Sequence, residues 1–521
     1  FFFAGCFCND FQRGCFHGAA LPHSGAMTAI MRSCIALRNE TRRLCSGPLF
    51  PGHAVAVRCG YGTKGEAGSI GDLFTSLGTA PPVLDARFAD LKDKIRPPAD
   101  VLAAAWERLE LAIAKEVAEI QEKGSAVVPT VDFAAIEANG GRFPAATAAA
   151  VRKRGCVVVR NTLDEATAVA MKRETQAYIA RNAEYLTGYP PEQPQVWEVY
   201  WSKPQGRMRQ HRHIQKTQTA LNRLWHCRAL PGNAGQVKVD VHRPLVYGER
   251  LRIRAPGDRS FTLGPHVDGG SVERWEDEEY RRCYRDILCG DWERFDAWDA
   301  THRADARCDL YSLGLGLCTV FRSFQGWLSL SSSGKGMGAL MVVPMLREAT
   351  AFLMLRPFLR DVAPTSFCGA NPGKTQDLFP EFHKAVMEGL VAVPDVRPGD
   401  SVWWHCDLVH AVEGTHGGAE DASVYYVPAL PLCVKNAQYL YRQARHFAGG
   451  KTPPDFPPNH AEVPCRGRYT PQDLDALGSA AMGLAGVPEV RVDGESREDF
   501  AASAALREEC RRVLDDGAAA L

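Results

Sequence analysis

The chain has 521 residues, 45% of them apolar and 23% charged, a composition typical of a globular protein. Lys and Arg together number 61, as do Asp and Glu, so the balanced charge gives no general attraction to nucleic acid or to an acidic membrane surface. The 17 cysteines lack disulfide-framework spacing and no long uncharged apolar stretch occurs, which predicts a reduced, intracellular chain without a membrane span.

The N-terminal stretch differs from the rest, because up to residue 64 only Asp10 and Glu40 are acidic while basic residues and cysteines are frequent. An arginine-bearing, acid-poor N-terminus is typical of an organelle transit peptide. A disordered extension or a mis-assigned gene start explains the pattern equally well. Residues 1–80 are therefore interpreted as a leader outside the fold. We expect a cytoplasmic protein, or a plastid or mitochondrial one if the leader is a transit peptide.

The next part of the chain predicts helices around one buried strand. Apolar residues recur every three or four positions from about 99 to 123, and Gly124 stands where that helix should end. The run CVVVR at 156–160 predicts a buried strand, and a capping-box pattern at 162–165 predicts a helix that continues to about residue 185. Residues 81–235 are interpreted as a helical cap or support.

From about residue 236 the sequence changes to short apolar runs separated by Gly and Pro, which is typical of a β-sandwich or jelly roll. Residues 272–311 are charged and aromatic and are interpreted as a helical insertion over one rim. We therefore predict a mainly β chain with helices, in which 81–465 is one domain with its core at 236–435, and 466–521 is a C-terminal helical extension. The predicted strands are 238–246, 259–268, 317–331, 338–346, 400–412 and 422–432.

One motif suggests metal chemistry. The stretch GPHVDGGSVERW places His266 and Asp268 two residues apart, so both side chains point to one face of a predicted strand. A polar strand edge beside a turn would explain such a pair as well. Downstream, PGDSVWWHCDLVHAVEG carries His405 and His410. Two histidines and one carboxylate on one face leave coordination positions open, an arrangement associated with non-haem Fe(II) oxygenases more than with tetrahedral zinc.

These residues resemble the iron- and 2-oxoglutarate-dependent oxygenases, in which an HxD pair is completed by a distal His that commonly follows a PGD turn. The stretches HVDGGSVERWEDEEYRRCYRDI, FDAWDA, FRSFQGWLSLS and PGDSVWWHCDLVH resemble more narrowly the YbiU-like branch, domain of unknown function 1479, over about residues 90–465. The resemblance implies a double-stranded β-helix core that binds Fe(II), 2-oxoglutarate and O2. It implies His266, Asp268 and a distal His as ligands, with His410 favoured over His405, which is then a supporting donor or a core histidine.

Two departures from the family pattern affect the predicted site. In the sequence, Asp268 and His410 are separated by more residues than in compact members of the family. The insertion at 272–311 and the segment at 347–390 account for the additional residues. Residues 418–428 also contain no Arg or Lys to bind the far carboxylate of 2-oxoglutarate. A buried carboxylate needs a cation or several donors. The substitutes considered are Arg322, with Arg252 and Arg254 as rivals, and the hydroxyl groups of Tyr425 or Tyr426; Arg322 could equally be a surface or structural arginine.

The predicted function is oxidation of a small organic substrate by O2, with Fe(II) and with 2-oxoglutarate as cosubstrate. A cupin-like metal-dependent isomerase or lyase without 2-oxoglutarate, or a binding protein with a decayed site, are the alternatives. The basic segment 207–216, RMRQHRHIQK, could touch phosphates, but a solvated helix face explains it better because no aromatic stacking pattern accompanies it. No nucleic-acid or membrane partner is expected.

Overall fold

A computed structural model of the protein describes residues 83–228, 236–259, 262–311 and 318–518. The predicted leader at 1–80 lies outside these ranges. Within them the chain forms 16 α-helices and 15 strands, and the helices contain more residues than the strands. The protein is therefore of mixed α/β type. The expectation of a mainly β chain underestimated the helices, because the segments on both sides of the strand-rich region and the insertion within it are helical.

The helices lie mainly before and after the strand-rich part of the chain. None of the described helices is both long and apolar enough to span a membrane. Their bounds are α1 (Arg87–Ile95), α2 (Ala99–Lys123), α3 (Phe133–Ala138), α4 (Ala145–Arg154), α5 (Glu165–Arg181), α6 (Lys203–Gln210), α7 (Arg212–Asn222), α8 (Glu273–Glu276), α9 (Glu278–Cys283), α10 (Arg285–Leu288), α11 (Leu346–Leu355), α12 (Pro380–Met387), α13 (Val434–Gly449), α14 (Ala476–Ala481), α15 (Arg497–Ala502) and α16 (Ala504–Ala518).

Helix α2 has the predicted bounds. Its buried side chains recur every three or four residues, and Gly124 ends it with a positive φ of 54° that suits glycine. Helix α5 begins later than the capping-box pattern predicts, because Asp164 caps it by accepting a hydrogen bond from the Thr167 amide. The Thr162 hydroxyl instead bonds to Ser401 at 2.7 Å, which links this turn to a strand of the core.

The strands form three sheets. The largest has eight strands in the order β1-β2-β12-β8-β14-β6-β4-β3, the second has five in the order β10-β7-β13-β9-β11, and the third pairs β15 with β5. Their bounds are β1 (Thr130–Asp132), β2 (Cys156–Arg160), β3 (Gly188–Tyr189), β4 (Val196–Trp197), β5 (Asp240–Leu245), β6 (Leu251–Arg254), β7 (His266–Val267), β8 (Phe324–Ser329), β9 (Leu340–Val342), β10 (Gln376–Asp377), β11 (Val391–Ala392), β12 (Ser401–His405), β13 (His410–Val412), β14 (Ala422–Tyr426) and β15 (Leu430–Leu432).

The chain crosses repeatedly between the two larger sheets. Strands β6, β8, β12 and β14 belong to the eight-stranded sheet, and the strands that separate them in the sequence belong to the five-stranded sheet; these are β7, β9, β10, β11 and β13. A cavity lined by residues of both sheets lies between them. The predicted buried strand at 156–160 is β2, and it extends the larger sheet by pairing with β12.

Several predicted strands differ from the observed ones. The prediction at 422–432 is two strands, β14 in the eight-stranded sheet and β15 in the two-stranded one, and of the prediction at 259–268 the described residues form a strand only at His266–Val267. The prediction at 238–246 corresponds to β5, which pairs only with β15 and lies outside both larger sheets. The prediction at 400–412 is two strands, β12 and β13, because a turn at residues 406–409 carries the chain from one sheet to the other. An unbroken apolar pattern conceals such a turn, since both strands and the turn between them are largely buried.

The larger sheet is buried on both faces at its centre. Every residue of β8 and β12 is buried, and a Cβ added to Gly326 would lie 2.4 Å from the Trp403 ring on the neighbouring strand. Glycine is therefore needed here so that the indole can lie against the backbone. A second apolar cluster joins α13 and α16 to residues such as Trp201 and Tyr247.

We predict that Gly399→Ala, in the PGD turn before β12, is strongly destabilising. Gly399 has a φ of 94°, and an added Cβ would lie 2.3 Å from the carbonyl oxygen of Leu163. We expect the free energy of unfolding to fall by about 2–4 kcal/mol, measured by chemical denaturation. Gly414→Ala is the control, since nothing lies within 4 Å of its added Cβ. Equal stability of the two variants would contradict this view of the turn.

Candidate metal centre

The backbone brings the HxD pair and a distant histidine together. His266 begins β7, Asp268 follows directly after that strand, and His410 begins β13. The two strands are antiparallel neighbours, and His410 is the register partner of His266. Cross-strand partners lie about 4.5–5.5 Å apart at Cα, so their side chains emerge next to each other on one face.

The three side chains converge on one point. The Nε2 atom of His266 lies 3.7 Å from Oδ1 of Asp268, and that of His410 lies 3.5 Å from Oδ2. The two imidazole centroids are 4.2 Å apart. Each residue offers one ligand atom, and these atoms lie within 4.8 Å of one another. One metal ion can span such separations.

The imidazoles have the tautomer that a metal requires. Nδ1 of His266 donates to the carbonyl oxygen of Gly264 at 2.7 Å, and Nδ1 of His410 donates to that of Leu408 at 3.0 Å. Each Nε2 is therefore the ring nitrogen left to bind a metal ion, and it lies beside the Asp268 carboxylate. Burial, and secondarily the nearby His410, lower the pKa of His266 to about 4.

The Asp268 carboxylate is ionised at neutral pH. Burial acts to raise the pKa of Asp268, but His266, His410 and Arg322 outweigh it and hold this pKa below its usual range. Two imidazole nitrogens and one carboxylate would be the donor set for a metal ion held here, and they would leave other coordination positions open.

The helical insertion holds the turn that carries Asp268. Arg274 of α8 donates to the carbonyl oxygens of Asp268, at 2.7 Å, and of Gly270. Tyr280 of α9 donates its hydroxyl to the carbonyl oxygen of Gly269 at 2.8 Å. The sequence analysis did not single out these contacts, because they join residues whose proximity depends on how the insertion packs.

A buried ion network joins the same insertion to the turn before His410. Asp407 accepts hydrogen bonds from Arg303 and from the Tyr284 hydroxyl, the latter at 3.0 Å, and lies 3.7 Å from Arg274. All four side chains are buried. The network thus connects both metal-ligand turns to a single set of insertion side chains.

His405 is part of the core and not of the triad. Its Nε2 bonds to the carbonyl oxygen of Ala297 at 3.0 Å, and its Nδ1 accepts from the Asp407 amide at 3.0 Å. Its ring stacks on Trp225 at a centroid distance of 4.6 Å. His405, Cys406 and Asp407 also lie close enough to hold an ion, but both His405 nitrogens and the Asp407 carboxylate already have protein partners.

The cavity between the sheets has a volume of about 220 Å³, and the triad lies in its wall. Arg252, Arg254 and Arg322 line it too, but differ in their partners. Arg254 is committed to the fold: it pairs with Asp258 at 2.9 Å and donates to the carbonyl oxygens of residues 413 and 414. Arg252 is held by Gln195 at 3.2 Å.

Arg322 is not on a strand, as the sequence suggested, but two residues before β8. Its guanidinium makes no hydrogen bond or ion pair to the residues that the structure describes. It lies near enough to Asp268 for the two charges to attract each other. The Asp268 carboxylate raises the pKa of Arg322, and the guanidinium lowers the pKa of Asp268.

The two tyrosines of β14 point to opposite faces. Tyr425 turns away from the cavity and bonds through its hydroxyl to Thr175 and to the carbonyl oxygen of Met171 in α5, the latter at 3.1 Å. It is therefore not placed to bind a cosubstrate. Tyr426 lines the cavity instead. Alternation along the strand requires that one of them face inward, but the stretch ASVYYV does not indicate which.

Two of the four Lys and Arg residues in the basic segment 207–216 form ion pairs within the fold, and a third is buried. Arg207 pairs with Glu174 at 2.6 Å, and Lys216 pairs with Glu137 at 2.7 Å. Arg209 is buried and donates to the carbonyl oxygen of Glu249 at 2.7 Å.

The comparison with known families identifies the chain. The model of the Gig2-like family matches residues 82–484. This protein belongs to the Gig2-like family. The match covers both sheets, the insertion and every ligand of the triad, and it confirms the resemblance to the YbiU-like branch.

Relatives of this Gig2-like protein cover most of its length. YbiU of Escherichia coli (strain K12) is 32% identical over 425 residues, which is 79% of this chain and 99% of YbiU. A crystal structure from Salmonella typhimurium LT2, described as a candidate oxidoreductase, is 33% identical with a TM-score of 0.71 and covers 78% of this chain and 98% of its own. The GlcNAc-inducible protein GIG2 (DUF1479) of Candida albicans is 29% identical with a TM-score of 0.73, covering 84% and 96%.

We predict that His410→Gln abolishes tight binding of one divalent ion, whereas His405→Gln does not. Loss of a direct ligand should weaken binding by at least about 100-fold, the upper range for loss of a supporting contact. Calorimetric titration with Fe(II) under anaerobic conditions, or with Co(II), measures the difference. Weaker binding in the His405 variant than in the His410 variant would show that the triad is wrongly assigned.

Proposed function

We propose that this Gig2-like protein is a non-haem Fe(II)- and 2-oxoglutarate-dependent dioxygenase that oxidises a small organic substrate. The observation that carries the proposal is the convergence of His266, Asp268 and His410 in the wall of a cavity that also contains arginines. The description of the Salmonella relative as a candidate oxidoreductase agrees with this chemistry.

The strand order supports the same class. Eight strands, β6–β9 and β11–β14, divide equally between two sheets, with β7 and β13 adjacent in one and β14 between β6 and β8 in the other. We infer that they form a double-stranded β-helix. In this arrangement the second and seventh strands carry the metal ligands side by side, which matches the positions of the HxD pair and of His410.

The residues fit an Fe(II) ion. The donor set is two imidazole nitrogens and one carboxylate, and no cysteine thiol belongs to this ligand group among the described residues. When bound, Fe(II) with O2 and 2-oxoglutarate supplies an oxidant that inserts one oxygen atom into the substrate while the cosubstrate becomes succinate and CO2. The chain contributes fixed ligands, a fixed histidine tautomer and open coordination positions.

Arg252 is the best-placed anchor for the far carboxylate of 2-oxoglutarate. It projects from β6 into the cavity, and Gln195 orients the guanidinium. The Tyr426 hydroxyl lies beside it and adds a second donor. We infer that Arg252 and Tyr426 bind this carboxylate, in place of Arg322 and Tyr425, which the sequence suggested.

The walls of the cavity limit access of water to the oxidant. Leu340, Val412 and Trp404 contribute apolar surface, and the Trp404 ring lies 5.1 Å from that of His410. An apolar lining helps to keep water from a reactive site and so limits side reactions.

We predict that His266→Ala and Asp268→Ala abolish Fe(II)-dependent release of succinate from 2-oxoglutarate while the fold is retained. Each change removes a ligand, and both residues lie at the end of a short strand. Succinate release is measured with and without a panel of metabolites, and circular dichroism checks the fold. Wild-type rates in either folded variant would refute the proposed metal site.

We predict that Arg252→Gln raises the KM for 2-oxoglutarate in the uncoupled reaction by at least about thirtyfold, because it leaves a buried carboxylate without its cation. Tyr426→Phe should raise this KM by a smaller factor. Tyr425→Phe is the matched control: it should leave KM unchanged and cost about 1 kcal/mol of stability through lost hydrogen bonds to α5. A larger KM effect from Tyr425→Phe than from Tyr426→Phe would contradict the assignment.

A further inference from the structure

Arg322 has no function in the site described so far. It lines the cavity on the side of Asp268 and also lines a smaller adjoining cavity of about 30 Å³, together with Gly269 and Gln325. Within the described chain its guanidinium has no hydrogen-bonding or ionic partner. A cation largely withdrawn from water and left unpaired is costly, and such a group is retained in a cavity when a ligand supplies the opposite charge.

The neighbouring acidic groups do not neutralise Arg322. Glu249 is paired with Arg250 at 3.0 Å, and the buried cation Arg209 also donates to its carbonyl oxygen. Asp455 accepts hydrogen bonds from the backbone and hydroxyl of Thr319, each at 2.8 Å.

The filled site would leave the charge of Arg322 unbalanced. Fe(II) brings two positive charges and Arg252 brings one. Asp268 and the two carboxylates of 2-oxoglutarate each bring one negative charge, so these groups balance one another. Arg254 is already paired with Asp258. One positive charge, that of Arg322, therefore remains beside the metal ligands.

Arg322 and Arg252 lie at different ends of the cavity. Val424 of β14 pairs with Arg252 on one side and with Ser329 on the other, so Arg252 is level with Ser329. Ser329 ends β8, whereas Arg322 lies two residues before β8 begins, so the length of this strand, about 17 Å, lies between them. The two guanidinium groups can therefore serve two different ligands, and Arg322 is the one on the side of Asp268.

We propose that the primary substrate is a small organic acid whose carboxylate is bound by Arg322, so that its reacting carbon lies beside the triad. This inference rests on the proposed function. A carboxylate matches the single charge of Arg322, whereas a phosphoryl group carries nearly two negative charges and would leave an excess. Gln325 adds an amide whose buried nitrogen has no acceptor within the described residues.

The first test needs neither metal nor cosubstrate. We expect Arg322→Gln to lower the melting temperature of the metal-free protein only slightly, because the change removes no hydrogen bond or close ion pair to the described residues and only the longer-range attraction to Asp268. Arg303→Gln should lower it clearly, since Arg303 is paired with the buried Asp407. A loss of stability in the Arg322 variant as large as that in the Arg303 variant would show a structural role and overturn the inference.

The second test uses propionate as the probe and propionamide as its uncharged counterpart. Anaerobic protein with Fe(II) and 2-oxoglutarate should give a visible charge-transfer band that propionate shifts saturably and propionamide does not. Arg322→Gln should form this band with an unchanged affinity for 2-oxoglutarate but weaken the response to propionate by at least about thirtyfold. Arg173→Gln, which removes an exposed arginine of α5, controls for net charge and should behave as the wild type.

Three outcomes would overturn the inference: an equal response to propionamide, no response of the wild type to propionate, or weaker 2-oxoglutarate binding in Arg322→Gln than in Arg252→Gln. The last result would assign Arg322 to the cosubstrate and leave the oxygenase class intact. Absence of the band in the wild-type protein would instead refute the proposed function itself.

Discussion

The antiparallel pairing of β7 with β13 is the interaction on which the candidate site depends. It makes His266 and His410 register partners, although they are far apart in the sequence. Backbone hydrogen bonds set the separation of the two strands, and each imidazole is then oriented by a carbonyl two residues before it. The same imidazole-to-carbonyl hydrogen bond therefore occurs on each strand, and Asp268 completes the proposed ligand set. A metal ion would bind to ligands already positioned by the sheet.

The helical insertion stabilises this pairing from outside the sheet. Asp407 precedes the His410 turn, and Arg274 contacts both Asp407 and the carbonyl oxygens of the HxD turn. Breaking a buried charge pair is costly because an uncompensated charge remains. The insertion is thus coupled to the metal ligands, and its helices are better regarded as part of the site than as a separate lobe on the rim.

The arginines that line the cavity have different partners and therefore different roles. Arg254 is saturated by Asp258 and by backbone carbonyls, so its role is to hold the ends of β6 and β13 together. Arg252 is oriented by Gln195, and Arg322 makes no hydrogen bond or ion pair to the residues that the structure describes. Composition alone shows a neutral protein, yet the cavity is locally cationic, which is the property that selects acidic ligands.

Much of the site could be predicted from the sequence because its signals are local. The HxD spacing places two ligands on one face, the PGD turn precedes the strand that leads to His410, and helix α2 follows its apolar periodicity and its terminal glycine. The motifs of the YbiU-like branch also carried the family assignment, which the Gig2-like match confirms. The choice of His410 over His405 relied on family position, and the structure gives its physical basis in the two backbone partners of His405.

Tertiary structure decided what depends on long-range packing. Whether Tyr425 or Tyr426 faces the cavity is a matter of strand phase, which the five consecutive residues of β14 do not reveal. That Arg254 is neutralised and Arg322 is not depends on Asp258 and on chain segments distant in sequence. The sequence by itself determined the ligand types and their local spacing, since these follow from backbone periodicity. Only the folded chain determined which cations are free to bind a ligand, because the partners of a buried charge are set by elements that meet in space.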